Sequence, residues 1–265
     1  MSAGAPTVLD RILAQTRSEL QQRKQALPHI DTPRRAPAEG SRLADALRRP
    51  GLGVIAEFKR RSPSAGLLRK DADVRAIAGA YERGGAVAMS VLTEGPNFGG
   101  GLEDLRAARA ACGLPLLRKD FIVDDYQLHE ALAAGADAVL LIVAALEPAR
   151  LAALHTGARE LGLDVLVEVH DGAELQVALA LGAEVIGINN RDLRDFSVDV
   201  MRTERLMGEV PDGVCVVSES GIAAPEQLER LRAAGVEGVL VGESLMRARD
   251  PEQALRIFSD TGIGL

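Results

Sequence analysis

The chain has 265 residues, of which 47% are apolar and 26% charged, and a chain of this size buries a sizeable core without disulfides or metals. Its 31 Lys and Arg against 38 Asp and Glu give a formal charge of -7, which argues against electrostatic binding of nucleic acid or of an anionic membrane. Aromatic residues make up only 3% and Trp is absent, so base-stacking surfaces and membrane aromatic belts are not expected.

The first 50 residues are predicted to form a helical extension. Apolar residues recur at helical intervals from Val8 to Ala26, which predicts an amphipathic helix that ends before Pro28. Residues 29–40 contain two prolines and four charged residues and are interpreted as an irregular connection. A second short helix is predicted over residues 43–49.

After Pro50, short apolar runs alternate with segments of helix length. Each run is aliphatic or β-branched and has no polar face, which is typical of a strand in a buried parallel sheet. The eight predicted strands are residues 53–59, 86–93, 115–121, 138–144, 164–170, 185–190, 214–220 and 238–242. Helices are predicted between them, for example over residues 103–111, 126–134, 174–181 and 225–234.

Four of these helices run into the next strand through a glycine, at Gly85, Gly135, Gly182 and Gly235, and we expect each to be a left-handed helix C-cap. Eight strand–helix units predict the α/β fold class, as a (β/α)8 TIM barrel over residues 51–265 with an N-terminal helical extension over residues 1–50. A doubly wound sheet is the alternative, but its GxGxxG turn is replaced by KRRSPS at residues 59–64.

Charged residues interrupt the apolar strands near their C-terminal ends, where barrels of this type place their active sites. Glu57, Lys119 and Glu168 each follow two or three aliphatic residues. Because side chains alternate along a strand, Lys59 shares the face of Glu57 and Phe58 takes the opposite one. A single charge at a strand end is usually a solvated loop residue, but three buried charges at one end favour a site.

Two lysines and two glutamates in one barrel mouth predict general acid–base chemistry, because such groups shift one another's pKa. A buried lysine also suits Schiff-base formation with a carbonyl substrate, and the residues alone leave both uses open.

The loops after strands seven and eight carry a phosphate signal. Ser220-Gly221-Ile222 ends strand seven, and Gly242-Glu243 ends strand eight and opens a helix. Barrels commonly bind phosphate there through backbone N–H groups. The alternative is that the two glycines form ordinary turns that bind no ligand. Ser62, Lys59 and Arg191 are candidates for side-chain contacts to the same anion.

Other polar residues are interpreted as structural. The four histidines have no ligand spacing, so no metal is expected, and His170 is predicted to lie in a loop. Cys215 is expected in the core, and the Arg60-Arg61 pair in a solvated loop. Cys112 and Cys215 lack CxxC spacing, and no signal-peptide core or run of about 20 apolar residues is present, so we expect a cytoplasmic protein.

Seven runs, in this order, resemble the indole-3-glycerol phosphate synthase family of tryptophan biosynthesis. They are AEFKRRSPSAG, LLRKDFIVDDYQ, GADAVLLI, LVEVHD, IGINNRDL, VSESGI and LVGESLMR. The resemblance extends to the N-terminal LDRILAQTRSEL helix and so covers the whole chain. It departs at Ala65, where the family's loop commonly carries Lys.

The resemblance implies a carboxy-lyase that closes the indole ring of 1-(2-carboxyphenylamino)-1-deoxyribulose 5-phosphate and releases CO2 and water, without a cofactor. It implies that Lys119 protonates the substrate carbonyl and that Glu168 transfers protons during dehydration. It places Glu57 and Lys59 at the reacting centre, with Lys59 pairing with the anthranilate carboxylate. Asn189 and Ser220 would orient these groups.

The same resemblance implies a phosphate site made by Ser62, Arg191, Gly221, Gly242 and Glu243. The expected partner is a small phosphorylated substrate, with no nucleic acid and no membrane, and the expected state is a monomer because a closed barrel leaves no open strand edge. Two alternatives stay open. One is another phosphate-binding barrel enzyme, such as an isomerase or Schiff-base aldolase, and the other is a barrel that binds a phosphorylated metabolite without catalysis.

Overall fold

A computed structural model describes residues 6–32, 42–192, 195–222 and 224–262, and within them eight parallel strands close into one barrel. The strands are β1 (Gly53–Phe58), β2 (Ala88–Leu92), β3 (Leu116–Lys119), β4 (Ala138–Ile142), β5 (Asp164–Val169), β6 (Val185–Asn189), β7 (Cys215–Glu219) and β8 (Gly238–Val241). Each strand pairs with its neighbour in sequence, and β8 pairs with β1. The predicted barrel is therefore confirmed.

Helices precede, connect and follow the strands. They are α1 (Val8–Ala26), α2 (Arg42–Leu47), α3 (Val74–Arg83), α4 (Leu102–Arg109), α5 (Asp125–Ala133), α6 (Pro148–Glu160), α7 (Gly172–Ala180), α8 (Arg202–Met207), α9 (Pro225–Ala233), α10 (Glu243–Arg247) and α11 (Pro251–Gly262). Helix α1 has the predicted bounds and begins at a capping box between Thr7 and Asp10. The predicted connection over residues 29–40 lies largely outside the described residues, which resume at residue 42.

The four predicted glycine caps are confirmed. Gly85, Gly135, Gly182 and Gly235 have φ values of +92°, +89°, +74° and +88°, a region that glycine enters without steric cost. Each cap ends a helix and turns the chain directly into the following strand, β2, β4, β6 or β8.

Side chains along each strand alternate between two hydrophobic clusters. Ile55 of β1 belongs to the cluster inside the barrel, whereas Phe58 is 1% exposed and belongs to the cluster between the strands and the helices. The Tyr81 hydroxyl of α3 donates to the Glu57 carbonyl at 3.2 Å and fixes the end of β1. Glu57 and Lys59 therefore face the barrel mouth, as the alternation predicts.

The two N-terminal helices pack at opposite ends of the barrel. In α2, Leu43 and Leu47 join the inner cluster, and the Leu43 N–H donates to the Asp164 carboxylate at the start of β5 (2.7 Å). Helix α1 packs beside α5, where Arg23 forms an ion pair with Glu130 (2.7 Å). None of the described helices combines the length and the hydropathy needed to span a membrane.

Candidate active site

A single cavity at the C-terminal ends of the strands contains every predicted site residue. Its walls also include apolar side chains from β2, β4 and β8 and from the loops after β2 and β3. The predicted residues that line it are Glu57, Lys59, Ser62, Lys119, Glu168, Asn189, Arg191, Ser220, Gly221, Gly242 and Glu243. Residues that are far apart in sequence meet there because the carboxyl ends of parallel strands converge on one rim.

Lys119 lies at the centre of the charged group. Its Nζ is 3.2 Å from a Glu168 carboxylate oxygen and 3.1 Å from one of Glu219. The side chains of Glu168 and Glu219 are only 1% and 2% exposed, so these ion pairs are shielded from water. The three residues lie at or next to the C-terminal ends of β3, β5 and β7, and these odd strands of the barrel thus contribute one ionic cluster.

Burial and charge set the protonation states in this cluster. Burial opposes the charged form of Lys119, but the Glu219, Glu168 and Glu57 carboxylates outweigh it and raise the lysine pKa. Burial also disfavours the Glu168 carboxylate, yet Lys119 and His170 hold its pKa well below the usual range. Burial raises the pKa of Glu219 to about 7. The cavity thus contains an ammonium ion, a carboxylate and a carboxyl group that titrates near neutrality.

Glu57 and Lys59 form a second ion pair beside the first, with Nζ 2.5 Å from a carboxylate oxygen. Gly242, which follows β8, lies directly against Glu57. A Cβ atom at Gly242 would lie 2.4 Å from the Glu57 Oε1 and 3.0 Å from its Cβ. Only glycine at this position leaves room for the Glu57 carboxylate.

The substitution Gly242→Ala is therefore expected to displace Glu57 and to lower kcat/KM by about 10–100-fold, since a shift near 1 Å in a catalytic group has effects of this size. Steady-state kinetics of the variant would check this. Gly208→Ala is the matched control, because a Cβ atom there meets no atom within 4 Å. Unchanged kinetics in Gly242→Ala would contradict the packing argument.

His170 lies in the short loop after β5, as predicted, but this loop position does not leave it in solvent. Its side chain is buried, with Nε2 3.4 Å from a Glu168 oxygen and Nδ1 3.0 Å from a Glu174 oxygen. Burial opposes its charge, but hydrogen bonding to the two carboxylates raises the His170 pKa to about 10. Asn189 donates its Nδ2 to the same Glu168 oxygen at 3.1 Å. Glu168 is thus held from two sides.

The raised pKa of His170 has a consequence for stability. A histidine with a folded-state pKa of about 10 and an unfolded value near 6.5 contributes stability that is complete below pH 6.5 and lost as the pH rises toward 10. The free energy of unfolding is expected to fall less steeply between pH 7 and pH 10 in His170→Gln than in wild type. Urea unfolding across this range measures it.

His155→Gln is the control for this measurement. Burial lowers the pKa of His155, so its titration lies below the pH range tested, and the variant should keep the wild-type slope. Equal slopes in wild type and His170→Gln would show that His170 is not protonated between the two glutamates.

The predicted phosphate residues follow β1, β6, β7 and β8 and line the same cavity. Ser220 and Gly221 follow β7 with φ values of +66° and +77°, and the chain turns sharply there. The Ser62 hydroxyl accepts from the Ala65 N–H at 3.1 Å, and Arg191 donates to the Phe196 carbonyl at 3.2 Å. Backbone N–H groups and one guanidinium are thus assembled at this side.

The opposite wall of the cavity is apolar. Phe98 and Phe121 have ring centroids 6.3 Å apart, and Leu140 and Ile142 of β4 lie beside them in the wall. The Glu94 carboxylate accepts the Phe98 N–H at 2.9 Å and orders the loop that carries this ring. A flat apolar group of the ligand would pack on this wall while charged groups contact the other.

The structure also tests what the sequence indicates for three further residues, Glu219, Arg60 and Cys215. Glu219 is absent from the predicted site although it pairs with Lys119. Alternation would have identified it, because Val217 faces the barrel interior and Glu219 is two residues further along β7. Arg60 is not a solvated loop residue, since it forms a bidentate ion pair with Asp104 (2.5 and 2.7 Å). Cys215 is buried in the inner cluster, as predicted.

Comparisons with known proteins point to one enzyme family. The sequence model of the family described as indole-3-glycerol phosphate synthase matches residues 9–258. The chain is 57% identical to indole-3-glycerol phosphate synthase 2 of Streptomyces coelicolor over 81% of this chain and 83% of that protein. It is 49% identical to the indole-3-glycerol phosphate synthase of Salinibacter ruber over 94% of each.

Solved structures with similar folds are much more distant in sequence. The thiamine phosphate pyrophosphorylase of Pyrococcus furiosus superposes with a TM-score of 0.61 at 18% identity, over 83% of this chain and 96% of that one. This likeness shows the barrel fold alone. The family match and the sequence relatives go further: this chain belongs to the indole-3-glycerol phosphate synthase family.

Proposed function

We propose that this chain converts 1-(2-carboxyphenylamino)-1-deoxyribulose 5-phosphate to indole-3-glycerol phosphate, CO2 and water. The observation that carries the proposal is the placement of Lys119 between Glu168 and Glu219 in a cavity with an apolar wall and a cluster of anion-binding groups. The substrate has the matching parts, which are an aromatic ring, a carbonyl group and a phosphate. Family membership supports the same reaction.

Lys119 is the general acid of ring closure in this proposal. As the ring carbon that bears the carboxylate attacks the substrate carbonyl carbon, negative charge develops on the carbonyl oxygen. The Lys119 ammonium group stabilises this charge and donates the proton that makes the oxygen a hydroxyl group. The raised pKa of Lys119 keeps the group charged before the substrate binds.

Decarboxylation and dehydration then restore the aromatic ring. Loss of CO2 returns the electron pair of the broken carbon–carbon bond to the ring system. Dehydration removes the new hydroxyl group as water and needs both an acid and a base. We assign the acid to Lys59, which also pairs with the substrate carboxylate, and proton acceptance to Glu168, whose lowered pKa keeps it ionised. Glu57 lies 2.5 Å from Lys59 and orients it.

The remaining predicted residues are assigned to binding. Asn189 orients Glu168 through its hydrogen bond, and Ser220 contacts the substrate at the end of β7. The phosphate is assigned to the side chains of Ser62 and Arg191 and to backbone N–H groups in the two glycine turns, at Gly221, Gly242 and Glu243. Phe98 and Phe121 are assigned to the anthranilate ring.

The electrostatics weigh against the Schiff-base alternative. A lysine that attacks a carbonyl carbon must be neutral, and the carboxylates around Lys119 favour its charged form. Non-catalytic binding would not require the five buried or half-buried ionisable groups that line this cavity, which are Glu57, Lys59, Lys119, Glu168 and Glu219.

The direct test incubates the wild-type protein with the anthranilate substrate and follows indole fluorescence. Formation of the indole product supports the proposal, and a folded protein that binds the substrate without turnover would support the binding alternative. Borohydride is added in a parallel reaction, because it traps a Schiff base as a covalent adduct of Lys119 and leaves a general acid unmodified.

We further propose that the chain is a monomeric, cytoplasmic protein in which residues 1–50 and the barrel over residues 51–265 form one domain. The packing of α1 and α2 against opposite ends of the barrel supports a single unit. Closure of the eight-stranded sheet supports a monomer, because the sheet presents no edge for pairing. Sedimentation equilibrium would report a dimer if this is wrong.

A further inference from the structure

Two consecutive residues after β7 adopt a left-handed backbone conformation. Gly221 (φ +77°) enters this region freely, but Ser220 (φ +66°) has a Cβ atom that clashes with its own backbone there. Left to itself, a serine would leave this region, so the surrounding structure must hold the turn. Positive φ at a residue other than glycine is typical of functional positions.

The Ser220 carbonyl is held by Asn190, the residue that follows β6. Asn190 donates its Nδ2 to this carbonyl at 3.0 Å and to the Ser218 hydroxyl at 3.1 Å. On the other side of the turn, Gln227 of α9 donates its Nε2 to the Gly221 carbonyl at 3.0 Å. Both carbonyls of the turn are thus fixed from outside the cavity.

Asn190 is itself fixed on every side. Its side chain is buried, and its Oδ1 accepts from the Thr203 hydroxyl of α8 at 3.0 Å. Its backbone N–H donates to the Glu219 carbonyl at 2.9 Å. Asn190 does not line the cavity, so it does not meet a ligand directly. Its contact with the Ser220 carbonyl links a rigid buried network to the turn.

The turn faces the cavity at the predicted phosphate side. Among the described residues, no acceptor pairs with the N–H of Gly221 or of Ile222. Successive backbone N–H groups in a turn can converge on one point and form a concave anion site. A relaxed turn would aim these donors elsewhere.

We propose that Asn190 is a positioning residue for phosphate binding, which holds Ser220 and Gly221 in the left-handed conformation that aims the backbone N–H groups of Gly221 and Ile222 into the cavity. This inference rests on the phosphate site of the proposed function. It assigns Asn190 an effect on affinity for the phosphate group and no direct part in proton transfer.

The first test substitutes Asn190 by Ala and measures binding of glycerol 3-phosphate by calorimetry, together with KM and kcat for indole formation. Loss of one tether of the turn is expected to weaken affinity and raise KM by about tenfold, with kcat within about threefold of wild type. Thr203→Val is the matched control, because it removes the hydroxyl that donates to the Asn190 Oδ1 and leaves the bond from the Asn190 Nδ2 to the Ser220 carbonyl in place.

The second test uses the backbone preference of residue 220. S220A and S220G both lack the hydroxyl, but only glycine adopts positive φ without cost. N190A is combined with each of them. If Asn190 acts by opposing relaxation of the turn, N190A weakens glycerol 3-phosphate binding about tenfold in the S220A background and less than about threefold in the S220G background.

Equal losses in the two backgrounds, or a loss in T203V as large as in N190A, would overturn the proposal and assign Asn190 a general packing role. If N190A does not fold, N190S replaces it, since the shorter hydroxyl retains a polar group beside Thr203. Glycerol 3-phosphate binding does not depend on turnover. A protein that binds it and forms no indole would refute the proposed reaction while leaving the Asn190 test intact.

Discussion

Replacing Lys119 by Met is expected to lower kcat for indole formation by about 10²–10⁴-fold, the usual contribution of a positioned general acid. Methionine replaces the aliphatic part of the lysine side chain and removes the ammonium group, and with it both the charge and the proton. The loss should appear in kcat and in kcat/KM alike, because the interaction with the developing oxyanion exists only in the transition state. Stopped-flow or steady-state fluorescence of the indole product measures it.

Lys119→Arg is the matched control for this substitution. Arginine keeps a positive charge between Glu168 and Glu219 but does not release a proton near neutral pH. It should preserve stability better than methionine, which removes the cation that the two buried carboxylates share. Near wild-type turnover in the methionine variant would remove Lys119 from the proposed mechanism.

Replacing Arg118 by Met is expected to reduce the free energy of unfolding by about 3–5 kcal/mol, the range found when one partner of a buried ion pair is removed. Arg118 is 1% exposed and donates to Asp120 (2.8 Å), Glu130 (3.1 Å) and the Gln127 carbonyl (2.6 Å). Without the guanidinium, two buried carboxylates lose a partner. Urea denaturation at neutral pH measures the loss.

Arg83→Met provides the comparison for a surface pair. Arg83 pairs with Glu252 at 2.8 Å, but its side chain is 63% exposed, so the substitution should change stability by less than about 1 kcal/mol. A similar loss in both variants would show that burial does not govern the effect. Because Glu130 also binds Arg23 of α1, Arg118→Met should weaken the attachment of the N-terminal helix as well.

The sequence predicts where several charged side chains of the cavity lie, because charge is costly inside an apolar strand. Glu57 and Glu168 each follow aliphatic residues directly, and Lys119 follows Leu116 and Leu117 after one intervening residue, Arg118. The alternation of side chains then gives their direction once the strands are assigned. The barrel follows from the same pattern, since eight buried strands with intervening helices have few other arrangements.

The residues that the sequence misjudges depend on partners placed by the tertiary fold. The sequence indicates that Arg60 is exposed in a loop. Its partner Asp104 lies on α4, which follows β2. Pairing across that distance has no local signal. His170 does have a local signal, because Glu174 follows it by one helical turn, but its burial against Glu168 depends on the closed barrel. Glu219 is predicted to face the cavity only when the alternation of side chains is applied to β7, as it is to β1.

The pairing of β1 with β8 has a consequence for how the protein acquires its activity. Gly53 is in register with Gly238, and Gly242 lies against Glu57, so the two ends of the barrel sequence meet inside the cavity. Contacts of such high sequence separation carry the largest loop-closure entropy. A half-barrel of β1–β4 would hold Lys119 with neither Glu168 nor Glu219 beside it. During refolding, the active site is therefore completed in one late step, when β8 pairs with β1 and closes the barrel. Activity is not expected to rise in proportion to the secondary structure formed.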